Sequence, residues 1–210
     1  LRLLSGRSTQ YSAATDINNN DLVIGYQVKL INGSIRNKLF VYDVNTGDLT
    51  FPVDLFNGSA SVPLDINNNN QIVGYAEVEA TQGVQRRTGG FIYDHDTGDF
   101  QNLNDLIDCD TPYNIVQANA INDQGIIAAT ALIQAPARDL RGEIILNEEG
   151  EEIIEDKVIA VTLEKISDAT PQECEVDEDN ENRPRQGASI YWLIGLAGIA
   201  VLRRRKIYRA

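Results

Sequence analysis

The sequence predicts an all-β fold: antiparallel four-stranded repeats, β-propeller-like in a partial or open form, followed by one C-terminal transmembrane helix. Two observations predict it. A phrase of 11 residues occurs twice in near-identical form at an offset of about 50 residues. Then, after an acidic stretch, a 13-residue uncharged run ends in a block of cations.

The first copy reads Asp16-Ile17-Asn18-Asn19-Asn20-Asp21-Leu22-Val23-Ile24-Gly25-Tyr26, with Phe40-Val41-Tyr42-Asp43 and Thr46-Gly47-Asp48 downstream. The second reads Asp65-Ile66-Asn67-Asn68-Asn69-Asn70-Gln71-Ile72-Val73-Gly74-Tyr75, with Phe91-Ile92-Tyr93-Asp94 and Thr97-Gly98-Asp99. Each copy alternates β-branched and aromatic stretches with tight-turn signals. Strands are expected at 22–30, 39–44, 49–55 and 60–66, then at 71–79, 90–93 and 100–106. Asn32-Gly33 is a hairpin signal because a type I′ turn needs positive φ at both central positions. A four-stranded unit of this kind cannot cover both its faces, so successive copies must pack on one another. A third, eroded copy is read at 120–128, with Ala120 where Asp16 and Asp65 stood. Its second half is read at 143–150, and a last strand at 158–166. Repeats are therefore placed at about 11–59, 60–108 and 109–166, within a domain covering 1–166.

Residues 167–186 are polar and acidic, with Glu173, Glu175, Asp177, Glu178, Asp179 and Glu181, and read as a disordered spacer. Residues 187–210 form the membrane or sorting segment. The run Ile190 to Leu202 would span about 20 Å as a helix, and snorkelling cations extend its reach. Arg203, Arg204, Arg205 and Lys206 form a membrane stop that stays cytoplasmic, placing residues 1–186 in the periplasm or at the cell surface. The chain has no methionine and begins at Leu1, so it is expected to be a fragment or a processed chain.

The net charge of −13 is unevenly spread. Without the five C-terminal cations, residues 1–202 carry −18. Such a body repels phosphate backbones, which argues against nucleic-acid partners. Cys109 and Cys174 are the only cysteines. In an exported protein they are a candidate disulfide that would contribute roughly 4 kcal/mol through loop closure; two unpaired thiols are the alternative.

Asp16, Asn18 and Asn20, and again Asp65, Asn67 and Asn69, set oxygen-bearing side chains at alternate positions, as in the first half of calcium loops. The rest of that loop pattern is missing, and Asn and Asp also favour turns for their own backbone chemistry. Calcium is thus a candidate ligand, with turn chemistry as the competing reading. Tyr42-Asp43 and Tyr93-Asp94 read as packing aromatics and turn-capping carboxylates. His95, between Asp94 and Asp96, could serve as a base, but no second catalytic partner accompanies it. No nucleophile elbow or phosphate loop is present, so no catalytic residue is assigned.

The repeated pattern Ile-Asn, four residues, Ile/Val-x-Gly-Tyr, then Phe-x-Tyr-Asp-x-x-Thr-Gly resembles HAF-type extracellular repeats of bacteria. Gly187-Ala188-Ser189, a short apolar run and then arginines resemble a GlyGly-CTERM-type sorting segment. Together, over roughly residues 11–206, they resemble an uncharacterised family of exported Gram-negative repeat proteins. The resemblance implies cleavage near Gly187, Ala188 and Ser189 by a rhomboid-like sorting protease and transfer to the surface; a permanent anchor is the alternative. It implies no established activity. The function expected is a non-enzymatic interaction module for an envelope protein or glycan. An extracytoplasmic hydrolase and a calcium-stabilised surface adhesion protein are the competing readings.

Overall fold

A computed structural model describes residues 11–78 and 86–165. They form eleven β-strands: β1 (Ser12–Ile17), β2 (Leu22–Ile31), β3 (Ser34–Asp43), β4 (Leu49–Thr50), β5 (Ser61–Ile66), β6 (Gln71–Glu77), β7 (Thr88–Asp94), β8 (Phe100–Asn102), β9 (Asn114–Ile121), β10 (Ile127–Pro136) and β11 (Ile154–Leu163). All pairings are antiparallel. The sheets run β1-β2-β3-β4, β5-β6-β7-β8 and β11-β10-β9. The all-β, antiparallel expectation is met. The described residues form two four-stranded sheets and one three-stranded sheet rather than a closed propeller ring.

One local device builds most of the turns. An Asn or Asp side chain accepts the backbone N–H groups two and four residues ahead, and the fourth residue of the turn takes positive φ. Asn18 does this for Asn20 and Leu22, Asn67 for Asn69 and Gln71, and Asn122 for Gln124 and Ile126. Asp139 and Asn147 repeat it. The positive-φ residues are Asp21, Asn70, Gly125, Gly142 and Gly150. Asn, Asp and Gly tolerate that geometry best, which accounts for the composition of these loops. The Asn32-Gly33 hairpin is also present, with φ of 50° and 77°.

The sheets pack in sequence order. Leu22, Ile24, Leu39 and Val41 of the first sheet meet Ile66, Ile72, Phe91 and Tyr93 of the second. On the other face of the second sheet, Val73 and Ile92 meet Ile115, Ala118, Ile121, Ile127 and Ala129 of the third. At each four-stranded sheet a glycine faces an aromatic ring: Gly25 pairs with Phe40, and Gly74 with Phe91. A Cβ on Gly74 would run into the backbone oxygen of Val62 and lie 2.9 Å from both the Phe91 ring and the Cα of Pro63. The third sheet exchanges both members of the pair, setting Ala129 opposite Val161. The added methyl is matched by a smaller neighbour, as close packing requires.

That register relocates the third repeat. The Phe-x-Tyr position is held by Val161 and Leu163 on β11, not by residues 143–150. Those residues form part of an excursion between β10 and β11. In it, Ala137 N donates to Ile153 O, Ile153 N to Ile145 O, and Ile145 N to Ala137 O, closing a triangle of three segments. The misreading arose because Asn147 repeats the local turn of Asn122, and a turn signature carries no information about sheet membership.

Other expected strands are shorter. The stretch 49–55 pairs only over Leu49–Thr50. The stretch 100–106 stops at Asn102, where the Asn102 side chain caps a single 3₁₀ turn, Leu103–Asp105. The outward face of the third sheet is small and polar at its Ala128 and Thr130 end, and apolar further along at Leu132 and the exposed Val158. Ala128, Thr130 and Thr162 stand where the first sheet has Ile24, Tyr26 and Val41. That polar end can be wetted, as in the terminal units of repeat proteins.

Among the described residues no helix is long and apolar enough to cross a membrane. The expected spacer, the Gly187-Ala188-Ser189 sorting site, the C-terminal helix and the Arg203-Arg204-Arg205-Lys206 stop lie outside the described residues.

Candidate functional site

The six side chains read as calcium candidates are brought together, and they tie one sheet to the next. Asn18 Nδ2 donates to Asn67 O at 3.0 Å, and Asn67 Nδ2 donates to Asn122 O at 2.9 Å. Asn20 Nδ2 donates to Asn68 O, and Asn69 Nδ2 to Asp123 O. Asp16 Oδ2 accepts from Ile66 N, and Asp65 Oδ2 from Ile121 N. Each position of the phrase thus does the same job at both junctions. The side-chain oxygens of Asn18 and Asn67 already accept backbone N–H groups of their own turns. Among the described residues no group of three or more His, Cys, Asp or Glu side chains could hold a metal ion.

Asp16 and Asp65 converge on one donor, since Ile66 N also reaches Asp65 Oδ1 at 3.0 Å. Burial, and then the hydrogen bond with Asp16, push the Asp65 carboxyl above its ordinary value. The same end of the sheets carries the Thr-Gly turns. Asp43 and Asp94 each accept two backbone N–H groups there. These bonds hold Asp43 below its usual range. His95 lies on this rim, edge-on to Tyr93, and its backbone N–H donates to Asn70 O.

The opposite end is chemically different, and sequence reading missed it. Where the first and second sheets meet, Lys29, Arg36, Lys38 and Arg86 gather around Asp54 and Glu77. Arg86 Nη1 lies 2.6 Å from Glu77 Oε2, and Arg36 Nε 3.7 Å from the same oxygen. Lys38 pairs with buried Asp54 and also donates to Ser59 O at 2.8 Å. Ser61 Oγ donates to Asp54 and accepts from Leu39 N. Lys29 Nζ sits over the Phe51 ring, 3.0 Å from its centre, and Arg86 lies over Phe56. Burial, followed by the neighbouring Lys29, pulls Lys38 down to about 8, and Glu77 opposes the shift. The Asp54 contact works in the same direction as Glu77, because a carboxylate favours the charged ammonium. Ser59 Oγ is buried and has no hydrogen-bond partner.

A signal for this cluster was present in the repeat itself. By strand register, Lys38 corresponds to Gly89 and Lys29 to Val78. The second junction manages with a neutral group: Asn104 bonds both N and O of Ile115. Arg87 stands where the first sheet has Arg36, so what the first junction adds is the pair Lys29 and Lys38.

Against known proteins, residues 4–205 match the family described as "Protein of unknown function (DUF3466)". The chain belongs to this family. No curated protein and no solved structure matches the chain. An uncharacterised family was expected and is found. The match carries no statement about HAF-type repeats, sorting or export. Cys109 is not a free thiol; its expected partner Cys174 lies outside the described residues, so the pairing is carried forward as a proposal.

Proposed function

We propose that this member of the family is an exported, non-enzymatic interaction module that offers its loop ends to a component of the cell envelope. The observation that carries this reading is the ladder of Asn and Asp side chains onto the backbone of the next sheet. Ladders of this kind fix neighbouring sheets against each other, and rigid sheets position loops for recognition at low entropic cost. The charge pattern supports delivery outside the cytoplasm: an acidic body, then an uncharged run, then Arg203, Arg204, Arg205 and Lys206. Small residues at Gly187, Ala188 and Ser189 suit a processing site for an intramembrane protease. A Cys109–Cys174 bond suits an oxidising compartment.

The test is an intact mass of the protein recovered from native cells, after separation of cytosol, membrane and medium. A membrane or surface protein whose mass ends near Gly187, or retains an anchored tail, is the expected result. Protein confined to the cytosol, with both thiols reduced, would refute the proposal.

A further inference from the structure

We infer that the cation cluster between the first and second sheets binds a carboxylated sugar unit of an acidic glycan. The inference rests on the interaction-module reading and names its ligand class. Four cations face two carboxylates there, so among the described residues the cluster holds two surplus positive charges. It does so on a chain of net charge −13. Half-buried cations without matched anions are costly, and a binding anion relieves that cost.

Arg36 has a counterpart in Arg87 of the second sheet, but Lys29 and Lys38 have none. The second junction is closed at the corresponding place by Asn104, with Gly89 and Val78 where the first has Lys38 and Lys29. Arg36 and Arg86 both engage one carboxylate oxygen of Glu77, Arg36 at the longer 3.7 Å, so a second carboxylate would share these donors with Glu77. Arginine is suited to such planar oxyanions. Ser59 Oγ, fully buried and without a partner beside the Lys38 contact, is an unused polar group at the same place. Phe51 is 36% exposed beside Lys29. It leaves an aromatic surface against which the C–H face of a pyranose can pack. A cation next to an aromatic platform fits a ring that carries both an apolar face and a carboxylate.

The experiment is isothermal titration calorimetry of the full chain in detergent micelles with a galacturonate tetrasaccharide. Its methyl ester, inorganic sulfate and inorganic phosphate are titrated in parallel. Binding of the tetrasaccharide that weakens with salt, with no binding of the neutral ester, is expected. Arg36→Gln and Lys29→Gln should each weaken it about tenfold, roughly one charge-assisted hydrogen bond, while melting temperature stays within a few degrees. Asp48→Asn, at the opposite end, should bind like wild type. No tetrasaccharide binding, equal binding of the ester, unchanged affinity in both folded variants, or sulfate or phosphate binding as tightly as the sugar would each overturn the inference. A failed titration with an envelope-located protein would remove the ligand and leave the module reading standing.

Discussion

Replacing Asn67 by Ala should destabilise the protein by about 4 kcal/mol, at about 1 kcal/mol for each hydrogen bond lost. The Asn67 side chain accepts from Asn69 N at 3.0 Å and Gln71 N at 2.9 Å, and donates to Gln71 Oε1 at 2.9 Å and across the junction to Asn122 O at 2.9 Å. The residue is buried, so water cannot easily replace these partners. Asn122 is the internal control. It makes the same two bonds inside its own turn, but it is exposed. Asn122→Ala should therefore cost about 1 kcal/mol, because water recovers part of the loss. Asn67→Asp keeps the acceptor and loses the donor, and should fall between the two. Urea denaturation of the three variants, with m unchanged, reads the differences directly. If Asn67→Ala and Asn122→Ala agree within about 0.5 kcal/mol, the two bonds donated by Asn67 Nδ2, the one across the junction included, are worth nothing and the ladder argument fails.

Three further outcomes follow from the packing and the charges. Asp65 has a raised folded-state pKa, so its ionised form is disfavoured in the folded protein and stability falls as pH rises from the ordinary Asp value through the raised one. Asp65→Asn, which keeps an oxygen for Ile121 N, should flatten that part of the stability–pH curve; an unchanged curve refutes the assignment. Gly74→Ala should cost about 2 kcal/mol or more through overpacking, first against the backbone oxygen of Val62 and then against the Phe91 ring. Adding Phe91→Val relieves the ring contact but not the Val62 backbone oxygen, so a double-mutant cycle should return only about 0.5 kcal/mol as coupling; strict additivity would show that the ring is no part of the obstacle. Asp54→Ala should cost about 3 to 5 kcal/mol by stranding the Lys38 ammonium. The double change Lys38→Met with Asp54→Leu should recover most of it in thermal melts, and no recovery would point to Ser61 and Leu39 N as the groups that matter.

The fold class was legible because it is written locally. Asn-x-x-(Asn/Asp/Gly) and Asp-x-x-Thr-Gly segments dictate turns by bonding their own backbone, and the stretches between them carry strand-forming residues. The Asn-Gly hairpin and the two complete repeats needed nothing else. The third repeat defeated the same reading, because the turn at Asn147 is locally identical to the turn at Asn122. Only pairing with β10 shows that β11 supplies the missing strand.

The candidate residues divide in the same way. The sequence by itself determined that Asp16, Asn18, Asn20, Asp65, Asn67 and Asn69 form a repeated polar set, since spacing along the chain is a local property. Their work across the junction, holding Ile66, Asn67, Ile121 and Asn122 of the next sheet, was decided by tertiary structure. A hydrogen bond between residues some 50 positions apart leaves no mark on either local segment. The cation cluster is the extreme case. Lys29, Arg36, Lys38, Asp54, Glu77 and Arg86 come from β2, β3, β6 and two connecting segments. Each reads as an ordinary surface charge until the second sheet packs on the first and takes them out of water.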